Sequence, residues 1–183
     1  MAQVQRNRNA LRSQRLIKEA YVSLTLGRTK ERYTVSDICR MADINRSTFY
    51  AHYDNIDDLE EKLFQAYLEG IAAWLGDALA KGFREDPLPH LTRLGDYIEE
   101  NRPLFQAFMV NGVRDDSGYG FGMAVRAALL PVLGDVSMRR LIRFDLICSA
   151  LTSVYFTWLV GSYEGIALVE VNEEMAEVIR RKG

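Results

Sequence analysis

The amino-acid sequence predicts an all-α fold, on three observations. Apolar residues recur at helical spacing along most of the chain, and the every-second-residue alternation of strands is nearly absent. Capping residues Thr34, Asn45 and Asn55 stand just ahead of periodic runs. Pro87, Pro89 and Pro103 punctuate the chain where one run gives way to the next. The 183 residues are 48% hydrophobic and 26% charged, ordinary values for a folded chain with a buried core.

The elements follow in order. Leu16, Ile17, Ala20, Tyr21 and Leu24 share one face of a first helix that Gly27 closes. Thr34, with Asp37 three residues on, forms a variant capping box for a second helix with inner face Val35, Ile38 and Ala42. Asp43-Ile44-Asn45 turn the chain, and Asn45 is placed to cap a third helix, Arg46 to Tyr53. Asn55 caps a fourth, from Ile56 to about Lys81. Five more are expected at Leu88–Asn101, Pro103–Val110, Met123–Leu133, Met138–Gly161 and Asn172–Arg181, nine in all. The Gly- and Asp-rich segment 111–122 reads as a loop.

Charge is divided unevenly. Residues 1–53 hold ten Lys and Arg against four acids, net +6, whereas the whole chain is at −2. A basic head on an acidic body points to a polyanionic partner at the N-terminal end. The second and third helices with their three-residue turn have the helix-turn-helix shape, whose second helix enters the major groove of DNA. Phe49 and Tyr53, with Ile38 and Ile44, would hold this unit from inside. The outer set is Arg46, Ser47, Thr48, Tyr50 and His52, all able to meet a phosphate or a base edge. Arg6, Arg8 and Arg12 form a basic arm ahead of the first helix, suited to a phosphate backbone or a minor groove. A solvated polar face in a head that binds no DNA is the plainer alternative.

The stretch "YTVSDICRMADINRSTFYAHYDNIDDLEEKLF" resembles the DNA-binding signature of the tetracycline-repressor (TetR/AcrR) family of bacterial regulators. The resemblance rests on the "TV-x-DI" opening, the "A-x-I-x-x-STFY-x-HY" centre and the "D-N-x-x-D-L" that follows, and covers about residues 11–64. It implies a nine-helix homodimeric transcriptional regulator with a ligand-sensing C-terminal domain. By position, Arg46, Ser47 and Thr48 would meet bases or phosphates, and Tyr50 and His52 backbone phosphates. Two departures stand out. Asn55-Ile56 replaces a Lys common after the aromatic pair, and Asp43 replaces a Gly common between the two helices.

The expected organisation is a DNA-binding head, residues 1–56, and a dimerisation and sensing body, residues 57–183. Within the body, "RFDLICSALTSVYFTWLVG" and "NEEMAEVIRR" look like the paired helices of the family's dimer interface, with Leu151, Tyr155 and Trp158 in the seam. Burial of these residues in the chain's own core is the alternative. Trp74, Phe105, Phe108, Met109, Phe121 and Met123 are candidates to line an effector pocket, although such a stripe also suits plain core. Arg102, Arg126 and His90 could orient a polar ligand.

Enzyme activity is not expected. His52 and His90 share no metal-ligand spacing, and Gly118, Gly120 and Gly122 form no phosphate loop. No cofactor or metal is expected. Cys39 and Cys148 read as reduced, half-buried thiols. Neither a secretory leader nor a membrane span is expected, so the location is taken as cytoplasmic. The partners expected are double-stranded DNA, a second copy of the chain and an unidentified small-molecule effector. The function read is a ligand-responsive repressor on a palindromic operator. The alternative is a repressor-like co-activator or scaffold that acts through protein contacts without a ligand.

Overall fold

The computed structural model describes the backbone of residues 2–27, 33–110 and 119–181, and the side chains of residues 8–27, 33–109 and 121–181. Among the described residues are nine α-helices and no strand, the all-α class that the sequence predicts. They are α1 (Ala2–Leu26), α2 (Val35–Met41), α3 (Arg46–Tyr50), α4 (Ile56–Ala80), α5 (Pro87–Glu100), α6 (Arg102–Val110), α7 (Tyr119–Leu133), α8 (Met138–Leu159) and α9 (Leu168–Arg181). None of them is long and apolar enough to cross a membrane. The chain divides into two compact units, Met1–Gln65 with Pro103–Val113 and Ala66–Arg102 with Arg114–Gly183.

In the first unit, α1 turns Ile17, Ala20 and Tyr21 inward, as its periodicity requires. It closes at Gly27, where a Cβ would lie only 2.9 Å from the Ser23 carbonyl oxygen. The helix begins at Ala2, so Arg6 and Arg8 lie on α1 itself and not on an arm ahead of it. No Gly or Pro interrupts residues 2–10, and the pattern of helix formers simply continues. The Thr34–Asp37 capping box starts α2: the Asp37 N–H donates to Thr34 Oγ1, and Asp37 Oδ2 accepts from the Thr34 N–H at 2.9 Å. Asp43 takes a left-handed conformation, φ 52°, to make the turn. Asn45 is the N-cap of α3 by position, but its side chain makes no capping bond. α3 ends at Tyr50, three residues sooner than expected, and a turn carries Tyr53 into the core. Asn55 caps α4 through Oδ1, which accepts from the Asp58 N–H at 2.9 Å. From α6, Phe105 and Phe108 complete this core, with Phe108 edge-on to Phe64 at 5.3 Å.

The second unit packs the rest of α4 with α5, α7, α8 and α9. Trp74 of α4 donates through Nε1 to the His90 carbonyl of α5 at 2.7 Å. Tyr67 and Tyr97 stack at 5.7 Å, and the Tyr97 hydroxyl donates to the Tyr67 carbonyl. Between α5 and α9, Gly95 faces Asn172: a Cβ on Gly95 would come within 2.9 Å of Asn172 Nδ2. Helix α7 begins at Tyr119, so the last four residues of the expected loop, Tyr119 to Gly122, are helical. Phe121, Val125 and Leu129, one helical turn apart, are buried and explain why two glycines do not stop it. Helix α9 begins at Leu168, so Asn172, expected to open the helix, is buried inside it.

Candidate nucleic-acid interface

The reading element is short. Phe49 is fully buried and Tyr53 nearly so, and their rings lie 5.7 Å apart. With these two anchored, Arg46, Ser47 and Tyr50 stand exposed, and Thr48 and His52 half-buried. Arg46 donates through Nη2 to Ser36 Oγ, so its guanidinium links the starts of α3 and α2. The Tyr50 ring rests edge-on against Phe49 at 5.6 Å and stays 53% exposed, which fixes the ring without enclosing it.

Among the described residues, the His52 ring is hydrogen-bonded through one nitrogen only. Its Nε2 lies 2.8 Å from Ser13 Oγ of α1. Its carbonyl accepts from Lys62 Nζ of α4 at 3.1 Å. Lys62 also pairs with Asp58 at 2.9 Å and lies 5.6 Å from the Tyr53 ring centroid. Asp58 is held below its ordinary pKa by its bond from Lys62 and then by the Asp54 N–H. Ser13 and Lys62 were not singled out in the sequence. The signal for Lys62 was its i,i+4 spacing from Asp58. Ser13 had none, because its partner is distant in sequence. Arg8 and Arg12 are exposed on α1, and the side chain of Arg6 lies outside the described residues.

The expected pocket residues are divided between the two units. Trp74 and Phe121 line a small apolar cavity of about 40 Å³ in the second unit, with Tyr67, Cys148, Thr152 and Phe156 also in its wall. Phe105, Phe108 and Met109 belong to the first unit, where both phenylalanines are core. Met123 is 48% exposed on α7. The three polar candidates are already engaged. Arg102 pairs with Glu99 at 2.7 Å and lies 4.0 Å from the Trp158 ring centroid. Arg126 forms a two-pronged pair with Asp145 at 2.7 and 3.1 Å, which raises its pKa. His90 is buried, with its ring edge-on to Phe83. Burial pushes the Cys39 and Cys148 thiols up, so neither is an activated nucleophile. Among the described residues, no group of three or more His, Cys, Asp or Glu could hold a metal ion.

The seam residues also divide. Leu151 and Tyr155 are buried within their own unit, and the Tyr155 hydroxyl lies 2.6 Å from Asn172 Oδ1 and 3.2 Å from the Leu91 carbonyl. The Tyr155 hydroxyl is thus engaged inside the unit, whereas Leu151, though buried, also reaches the wall of an open groove. Trp158 is half-buried under Arg102 and donates to the Ile166 carbonyl at 3.3 Å. The opposite face of α8 carries the exposed apolar residues Met138, Ile142 and Leu146. Leu146, Ala150 and Val154 meet Val171, Met175 and Val178 of α9 along an open groove of about 640 Å³. Arg84, Arg143, Glu170 and Glu174 also line it.

No protein-family model matches the chain, and no curated protein does. A solved structure does match: the dihydroxyacetone kinase operon activator DhaS, with a TM-score of 0.60 over 93% of this chain and 95% of that one. Sequence identity is 17%, so the likeness is one of fold.

Proposed function

We propose that the chain is a DNA-binding transcriptional regulator, acting in the cytoplasm as a homodimer on a palindromic operator, with repression relieved by a small-molecule effector. The observation that carries this reading is the third helix. Phe49 and Tyr53 hold it from inside, while Arg46, Ser47, Thr48 and Tyr50 stand outward at its start. Free N–H groups and polar side chains at such a position suit phosphates and base edges. The basic excess of residues 1–53 supplies the sequence-independent part of the affinity. The groove between α8 and α9 supports a dimer: it is apolar along its length and carries both Arg143 and Glu174, so a two-fold copy could pair unlike charges.

Footprinting on DNA from upstream of the gene tests the reading. A protected palindrome supports both DNA binding and the two-fold dimer, and no protection at low ionic strength refutes it. A second reading is favoured by one observation, that the fold neighbour is by name an operon activator. In that reading the chain acts as a co-activator or scaffold through protein contacts, without a ligand. Retardation of upstream DNA by the purified chain alone, reversed by a metabolite, separates the two.

A further inference from the structure

Ser13 lies on α1 with its Oγ 2.9 Å from the Ala10 carbonyl and 3.1 Å from the Asn9 carbonyl. A serine hydroxyl has one proton to give, and two backbone carbonyls of its own helix compete with His52 Nε2 to receive it. With the proton on a carbonyl, the same oxygen presents a lone pair to His52 Nε2, 2.8 Å away. In that arrangement the proton in the contact is the ring's, with Nε2–H donating to Ser13 Oγ. Nδ1 has no hydrogen-bond partner among the described residues.

The consequence follows from the chemistry of imidazole. In a neutral ring protonated at Nε2, Nδ1 is an acceptor. A phosphate diester offers only acceptors, so the two cannot bond. The charged ring carries a proton on both nitrogens and can donate from Nδ1 while still holding Ser13. We infer that Ser13 is a positioning residue that fixes the proton of His52 on Nε2, so that His52 grips a DNA phosphate only when its ring is charged. The inference rests on the DNA-binding reading for the phosphate, but not for the tautomer. The charged and titratable groups that the contacts place around His52 are Lys62 of α4, bonded to its carbonyl, Asp58, paired with Lys62, and Tyr53, whose ring lies 6.0 Å from that of His52; within a helical turn of Ser13, α1 carries Arg12 and Arg15.

Two measurements on the full chain test it. The first is ring-nitrogen NMR of the free protein, in which His52 and His90 are the two histidines. The wild type should show neutral His52 protonated at Nε2, and Ser13→Ala should show a mixture of both tautomers. The second is affinity for a random-sequence duplex at low ionic strength, from about pH 5.5 to about pH 8.5, the span in which histidines exchange protons. A phosphate contact carries no sequence information, so any duplex serves. Wild-type affinity should fall as pH rises, by up to about tenfold per pH unit for each His52 engaged. His52→Gln should abolish that part of the slope. Ser13→Ala should flatten it, because the neutral ring can then donate from Nδ1, and Ser13→Thr, which keeps the hydroxyl, should retain it. A neutral wild-type ring protonated at Nδ1, or a slope unchanged in Ser13→Ala, overturns the inference. The expected tautomer in a chain that binds no duplex upholds the role of Ser13, but overturns the phosphate contact together with the DNA-binding reading.

Discussion

Leu146 is 67% exposed on α8, at the open groove whose wall the buried Leu151 also reaches. If the groove beside it receives a second copy, both copies of Leu146 are buried at once. Fully burying a leucine contributes about 1.5–3 kcal/mol, so the exposed two-thirds is worth roughly 1–2 kcal/mol per copy and roughly 2–4 kcal/mol per dimer. Leu146→Ala should then weaken dimerisation by about thirtyfold to several hundredfold, taking about 1.4 kcal/mol per decade. Leu146→Glu should do worse, because each copy also buries an unpaired carboxylate. Sedimentation at micromolar concentration reads the outcome. The contrast is Leu151→Glu, which strikes a side chain only 8% exposed and should lower the melting temperature of the fold itself. Leu146→Glu should split the dimer at a nearly unchanged monomer melting temperature, and tight operator binding should go with it. A wild-type chain that is monomeric at this concentration, or a Leu146→Glu variant that stays dimeric, would refute the reasoning.

Thr48→Ala should cost on the order of 1–3 kcal/mol at one base position and relax specificity there, whereas Tyr50→Phe should weaken all sequences alike, both read by competition binding. Asp43→Asn keeps a residue that tolerates φ 52° and removes a negative charge beside the reading helix, so DNA affinity should rise with little change in melting temperature. Tyr155→Phe leaves the buried Asn172 Oδ1 without its 2.6 Å donor and should cost about 1–3 kcal/mol, seen as a shift of several degrees on heating. Asp58, whose pKa is lowered from 3.8 by Lys62 and the Asp54 N–H, adds stability above its unfolded pKa that is lost as pH falls through the lower folded value. Asp58→Asn should therefore flatten the acid limb of melting temperature against pH.

What could be read in the sequence was local. Thr34 with Asp37, and Asn55 ahead of Asp58, cap helices through partners within three residues, and both act as expected. The inner pair Phe49 and Tyr53 follows from spacing alone. The start of α7 did not show, because Gly120 and Gly122 argue against a helix and only the packing of Phe121 overrides them. The two faces of α8 were merged for a geometric reason. Leu146 and Tyr155 lie about 180° apart round a helix of roughly 3.6 residues per turn. Both faces are apolar, so hydrophobicity could not say which one the chain keeps for itself. The Tyr155 hydroxyl decides it, since a buried phenol needs a partner and Asn172, far along the chain, provides one. The tie between Ser13 and His52 was hidden for the same reason.

The size of the cavity in the second unit bounds how sensing could work. Ligand pockets usually enclose about 300–1,000 Å³, and the space beside Trp74 and Phe121 is about 40 Å³. That volume suits a few water-sized groups, not an organic effector. An effector entering there must move side chains that now fill the space, and Phe156 and Thr152 of α8 are among the walls. Binding and rearrangement would then be one event, and the ligand could shift the protein only by its differential affinity for the opened state. The cost of opening sets a threshold: a weakly bound molecule leaves the closed state in place. A truncation in the wall, such as Phe156→Ala, lowers that threshold by providing the space in advance. It should tighten the binding of any effector that uses this cavity, as pre-organisation does generally, whereas an effector bound elsewhere would not notice the change.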